Sequence, residues 1–181
     1  MRVLSLFDGI SCGMVALERA DLKVDEYLSS EIEPSAIAIS EKNYPNIKRL
    51  GDVNNWKNWE IDWSKIDLLI GGSPCQGFSI MGKQLNFDDP RSSLFLVYVD
   101  ILEHIKKFNS KVKFLLENVN MKKEYVKVIS DFLGVEPVRI DSRLVAAAQR
   151  DRLYWANFEI TQPRDKHITF DTINTHTHMA G

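Results

Sequence analysis

Cysteine is scarce in this chain: Cys12 and Cys75 are the only two in 181 residues. Two thiols cannot make a metal site by themselves. No apolar run approaches the ~20 residues that a membrane span needs, and Met1-Arg2-Val3-Leu4 does not open a secretory signal. An intracellular protein with no membrane contact is expected, and both thiols should then be reduced. Charge of one sign is also missing. The formal net charge of -2 gives no global pull toward nucleic acid. Neither an internal repeat nor a low-complexity segment interrupts the pattern.

What is present fits one globular domain with a real core, at 44% hydrophobic and 27% charged residues. The charge is unevenly placed. Residues 1–100 carry 10 Lys/Arg against 15 Asp/Glu, and residues 101–181 carry 13 against 10. A phosphate-binding face would therefore draw on Lys106, Lys107, Lys111, Lys113, Lys122, Lys123, Arg139, Arg143, Arg150 and Arg152. For the 106–113 lysines a solvated helix face is the competing reading.

The stretch Gly71-Gly-Ser-Pro-Cys-Gln-Gly-Phe-Ser79 organises the rest. Ile66 to Ile70 before it is a short apolar strand, and two glycines and a proline stop it abruptly. Cys75 is left on a constrained loop at a strand's carboxyl end, where an open α/β sheet places its reactive groups. A helix dipole there can lower a thiol pKa and make it nucleophilic. A cysteine simply buried beside a tight turn is the alternative. Residues 81–91 lack either period and read as a mobile lid.

Elsewhere, strands are expected at Val3–Phe7, Glu26–Ser30, Lys48–Leu50, Lys113–Leu116, Val135–Asp141 and Arg152–Phe158. Helices should start near Met14, Pro34, Ser92 and Tyr125, the last stopped by Gly134. This gives an α/β fold whose last two strands form an antiparallel pair. The glycine turn Asp8–Gly13 joins a strand to a helix, the arrangement that offers backbone N–H groups to a ligand. Glu31 follows Gly13 by 18 residues, near the spacing at which nucleotide-binding folds place an acid on ribose. It would equally suit a helix N-terminus. Asp52, at the next strand end, can accept from an adenine amino group. Trp56, Trp59 and Trp63 read as packing residues, and His176 and His178 as a frayed tail.

Four elements occur in order at matching spacings: Phe7-Asp8-Gly9, Pro74-Cys75-Gln76, Glu117-Asn118-Val119 and Gln149-Arg150-Asp151-Arg152. Together they resemble the C5-cytosine DNA methyltransferase family. The forms Phe-Asp-Gly-Ile-Ser-Cys-Gly and Ala147 to Trp155 are most similar to its animal de novo branch and the phage and bacterial relatives. The resemblance covers about residues 1–158 and implies a Rossmann-like S-adenosylmethionine-dependent fold. That fold is a seven-stranded, mostly parallel sheet with an antiparallel last strand and helices on both faces.

The resemblance also implies roles. Cys75 attacks C6 of a flipped cytosine in double-stranded DNA, Glu117 holds the base edge and protonates N3, and Arg152 binds the base oxygen. Gln76, Ser79, Asn118 and Arg150 serve the base or the catalytic loop. Phe7 lies on the adenine, and Asp8, Gly9, Ile10, Ser11 and Cys12 hold the methionine end. Glu31 takes the ribose hydroxyls and Asp52 the adenine amino group, with Ile32, Val53, Pro74 and Leu94 as walls. No metal is implied, and a bacterial or phage protein of this kind would be cytoplasmic.

Residues 159–181 are expected to be a polar tail where the family continues into target recognition and a late helix beside the first strand. Exposed apolar surface on the first strand and helix is then expected, with a second chain or self-association covering it. Alternatives are an accessory subunit without turnover, a tRNA cytosine-C5 methyltransferase, or, more distantly, a dinucleotide oxidoreductase.

Overall fold

The computed structural model describes residues 1–74 and 90–173. Strands form at Arg2–Leu6 (β1), Glu26–Ser30 (β2), Lys48–Arg49 (β3), Leu68–Gly71 (β4), Lys113–Val119 (β5), Val138–Asp141 (β6) and Asp151–Ala156 (β7). Helices form at Cys12–Arg19 (α1), Pro34–Asn43 (α2), Pro90–Phe108 (α3), Lys123–Leu133 (α4) and Phe170–Ile173 (α5). The seven strands make one sheet in the order β3-β2-β1-β4-β5-β7-β6. Strands β1 to β5 pair in parallel, and β7 is antiparallel to both β5 and β6. The expected mostly parallel sheet with an antiparallel last strand is what forms.

Alternation sorts the two faces. Leu4, Leu6, Phe114, Leu116 and Trp155 join a core with Phe95, Tyr98, Ile101 and Ile105 of α3 and Ile129 of α4. Val3, Tyr27 and Leu68 point the other way and pack with Leu17 of α1. Each apolar side chain fully buried here contributes roughly 1.5–3 kcal/mol. Helix starts and stops follow local chemistry. Pro34 opens α2 behind the N-cap Glu33, and Gly134 closes α4 at φ 70°.

Several boundaries differ from expectation. Strand β6 begins at Val138 because Pro137 has no N–H for the ladder. Pro90 and Arg91, assigned to the lid, belong to α3, and residues 81–89 lie outside the described residues. Strand β1 does not expose apolar surface, since Val3, Leu4 and Leu6 are fully buried between two neighbouring strands and two layers. Only the flanks of α1 do so, at Ile10 and Leu22.

For the 106–113 lysines the topology agrees with the solvated-face reading. Lys113 pairs in register with Leu68, the first residue of β4, so Lys111 and Lys113 sit at the end of the sheet opposite Gly71. Lys106 pairs with Glu103 at 2.7 Å. Among the basic residues, Lys122, Lys123, Arg143, Arg150 and Arg152 instead flank the carboxyl ends of the parallel strands.

The tryptophans pack, as expected. Trp56 and Trp59 are buried, and His104 of α3 meets Trp56 at 5.1 Å and Trp63 at 4.9 Å between ring centroids. Loss of solvent, and then Lys107, hold the His104 pKa below its ordinary 6.5. The folded state therefore favours the neutral ring. This contribution is complete above the unfolded pKa and is lost as pH falls through that value toward the folded one. The thermal midpoint is expected to fall between about pH 7 and 5, and less steeply in His104→Phe. Equal slopes for the two proteins would remove His104 from that acid sensitivity.

Candidate active site

The strand order turns around between β1 and β4, and an α/β sheet opens a crevice at such a point. Phe7, Gly9 and Ser11 all have left-handed backbones there, at φ 56°, 58° and 64°. For bulky Phe7 this costs on the order of 1–3 kcal/mol and persists only where the surroundings fix it. The fixing group is Asp8, which is buried and accepts from four hydroxyls. Ser5 and Tyr27 donate to Oδ1 at 2.5 and 2.7 Å, and Ser11 and Ser29 to Oδ2 at 2.6 and 2.8 Å. The Ser11 side chain therefore does not cap α1. Neither the Cys12 nor the Gly13 N–H has an acceptor among the described residues. A Cβ at Gly13 would lie 2.4 Å from Ile70 Cδ1 and 2.6 Å from Tyr27 Oη, so both side chains would have to shift to admit one.

Two cavities meet at Phe7. The smaller, about 220 Å³, is walled by Phe7, Ile32, Val53, Pro74 and Leu94, with Glu31 and Asp52 on its rim. Glu31 is held by three backbone N–H groups: Gly9 to Oε2 at 2.7 Å, and Ile32 and Glu33 to Oε1 at 2.8 and 2.9 Å. Asp52 Oδ1 accepts from Asn54 N and Nδ2, both at 2.9 Å, and Oδ2 carries no hydrogen bond among the described residues. Both carboxylates keep acceptor capacity toward the cavity.

The larger cavity, about 460 Å³, runs from Phe7, Cys12 and Gly13 to Glu117, Arg150 and Tyr154. Strand β7 pairs with β5 so that Tyr154 stands opposite Glu117, with Arg152 two residues along the same face. Arg152 Nε lies 2.9 Å and Arg150 Nη2 3.2 Å from Glu117 Oε1. The Arg152 Nε–H is not aimed at that oxygen, so its contact is an ion pair and not a hydrogen bond. Gly72 makes room for the carboxylate, because a Cβ there would lie 3.1 Å from Glu117 Oε2. Burial, reinforced by the Glu117 charge, pushes the Tyr154 hydroxyl pKa up.

Most of the residues singled out in the sequence converge on these cavities, but not all present their side chains to them. Arg152 reaches Glu117 without lining either cavity, and Asp8 borders the larger one with its carboxylate turned to hydroxyls. Ile10 is exposed and lines neither cavity. Ser11 is buried and turned to Asp8. Asn118 is buried; its Nδ2 donates to Ser73 O at 3.2 Å and its Oδ1 accepts from Val119 N at 2.8 Å. It thus holds the root of the Pro74 segment and is not turned toward a base. Cys75, Gln76, Ser79, His176 and His178 lie outside the described residues. Tyr154 and Gly72 were not anticipated. Period two from Arg152 could have found Tyr154, whereas Gly72 depends on the approach of β5. Among the described residues no group of three His, Cys, Asp or Glu could hold a metal ion.

Residues 1–130 match the family model described as C-5 cytosine-specific DNA methylase. The type II methyltransferase M.NgoBV of Neisseria gonorrhoeae is 34% identical over 123 residues, 66% of this chain and 28% of that protein. The orphan methyltransferase M.SPRI of Bacillus phage SPR is 33% identical over 171 residues, 85% of this chain and 37% of that protein. The chain thus spans roughly a third of the length of these curated relatives. Among solved structures, the S. pombe Dnmt2 methyltransferase is similar in fold, with TM-score 0.63 and 22% identity, covering 100% of this chain and 57% of that one. The Entamoeba histolytica methyltransferase EhMeth has TM-score 0.66 at 18% identity, covering 93% and 57%.

Proposed function

The chain belongs to the C-5 cytosine-specific DNA methylase family, and we propose that it transfers a methyl group from S-adenosylmethionine to C5 of a flipped cytosine in duplex DNA. The observation that carries this is the meeting of the two cavities at Phe7, one rimmed by Glu31 and Asp52 and the other by Glu117 and Arg150.

The residues present fit the methyl donor. Phe7, Ile32, Val53, Pro74 and Leu94 make an apolar slot for adenine, with Asp52 Oδ2 open to its amino group. Glu31 would accept from the ribose hydroxyls. The unpartnered N–H groups of Cys12 and Gly13, at a helix N-terminus, suit the methionine carboxylate. When bound, the donor supplies an electrophilic methyl group at the larger cavity.

This chain's own residues would prepare the base. The Cys75 thiolate forms a bond to C6 while N3 gains a proton from Glu117, and the electron pair moved to C5 makes that carbon the nucleophile. Once C5 carries the methyl, water would take its proton, the freed pair would re-form the ring double bond as sulfur leaves as thiolate, and N3 would return its proton to Glu117. Arg150 and Arg152 keep Glu117 aimed, and Asn118 steadies the segment leading to Cys75. Flipping costs a few kcal/mol, which contacts in the cavity must offset. A second protein chain or a second copy of this one would supply target recognition, with residues 159–181 as a polar tail.

The test is transfer of labelled methyl to mixed-sequence duplex DNA and, in parallel, to tRNA. Label at C5 of cytosine in DNA supports the reading. Label in RNA alone, or in neither, would overturn it. A narrower prediction concerns Glu31→Ala, which removes two charged hydrogen-bond sites on ribose and the anchor of Gly9. The dissociation constant for S-adenosylhomocysteine is expected to rise by about 10²-fold in calorimetry. An unchanged affinity would remove Glu31 from the donor site.

A further inference from the structure

We propose that Tyr27, Ser40 and Arg49, none of which lines the two cavities at the strand ends, are positioning residues that lock the glycine turn in its ligand-accepting form through the buried Asp8 carboxylate. The proposal rests on the reading of that turn as part of the methyl-donor site.

Proton counting fixes the direction of the contacts. Ser11 has one hydroxyl proton, which goes to Asp8 Oδ2 at 2.6 Å. The 2.6 Å contact between Ser11 Oγ and Ser40 Oγ must then be donated by Ser40. Ser40 in turn accepts from Arg49 Nη2 at 3.0 Å. Arg49, Ser40, Ser11 and Asp8 form a one-way relay in which a guanidinium reaches a buried carboxylate through two hydroxyls. Each link polarises the next, and the relay eases the cost of burying Asp8, which no cation among the described residues touches.

The elements joined are remote in sequence. Ser40 lies in α2, and Arg49 stands on β3 in register with Ser29 of β2. Arg49 is itself fixed by donation to the Ile47 carbonyl at 2.9 Å. On the opposite side Tyr27 Oη donates to Asp8 Oδ1 at 2.7 Å and crowds Gly13, where a Cβ would lie 2.6 Å from that oxygen. Ser11 is a non-glycine residue held at φ 64°, and the bonds to its side chain help offset the cost of that state. With the relay broken, the Ser11 hydroxyl is free to cap α1, which would claim the N–H groups now facing the cavity.

The test uses Tyr27→Phe and Ser40→Ala, each of which removes one hydroxyl and keeps the surrounding bulk. The dissociation constant for S-adenosylhomocysteine is expected to rise about tenfold in each. KM for the methyl donor should rise in parallel, with kcat within about twofold of the parent. Because both variants act through Asp8, the double variant should lose less than the product of the two single losses. A merely structural role would instead lower the thermal midpoint and kcat while leaving the affinity of the folded protein unchanged, which would overturn the proposal. If the parent binds S-adenosylhomocysteine and both variants bind as tightly, only the positioning roles fall. If the parent does not bind it, the reading of the turn itself fails and takes the proposal with it.

Discussion

Cys75→Ala is expected to abolish methyl transfer to duplex DNA, by roughly 10⁴-fold or more, because the proposed covalent route has no nucleophile without that thiol. Binding of S-adenosylhomocysteine should stay within about twofold, since the proposed donor site draws on Phe7, Glu31, Asp52 and the N-terminus of α1 and not on Cys75. A second readout isolates the covalent step. In a duplex carrying fluorine at C5 the final loss of a proton from that carbon is impossible, so the chain should remain attached to DNA under denaturing conditions. No such adduct should form with Cys75→Ala. Transfer that persists in the variant, or an adduct that forms without the thiol, would assign the attack to another group.

The second large effect is expected for Glu117→Gln. The amide is nearly isosteric but cannot deliver a proton to N3, and general acid–base groups are worth about 10²–10⁴-fold. The loss should appear in kcat, with KM for the donor little changed, because Glu117 faces the larger cavity beside Arg150 and Tyr154 and not the slot rimmed by Asp52. Folding should be only slightly affected. Arg150 is 61% exposed and can be solvated when its partner is neutral, so that pair is worth little. Arg152 is the more sheltered of the two, at 19% exposure, and bears most of any stability cost. A variant that retains more than a tenth of the parent rate would exclude Glu117 as the proton donor. The adduct assay separates the two roles, since Glu117→Gln should slow attachment to fluorinated DNA without preventing it.

Much of the architecture is legible along the chain because it depends on neighbours in sequence. Alternation in Val3–Leu6 and Lys113–Val119 sets which face each side chain takes, and Pro34 and Gly134 mark helix ends by their own dihedral limits. The lining of the smaller cavity was legible for the same reason. Phe7, Glu31, Asp52 and Pro74 each follow a strand that can be read locally, and parallel strands bring their carboxyl ends to one rim.

What depends on distant partners was not legible. Composition leaves the lysines of residues 106–113 open between a phosphate face and a solvated helix face, and only the register of β4 and β5 puts Lys113 at the end of the sheet away from the cavities. Strand β7 could have been an edge hairpin with β6. Its insertion between β5 and β6 is what brings Arg152 and Tyr154 to Glu117. Asp8 reads as a ligand-facing acid in a glycine turn, yet its carboxylate is turned inward to hydroxyls from β1, β2 and α1. Periodicity and turn chemistry thus determine which elements exist, which faces they bury and at which strand ends the reactive residues stand. Direction, register and the closure of polar networks were decided only in the folded chain, because a buried carboxylate takes whatever donors three-dimensional packing brings within hydrogen-bond reach.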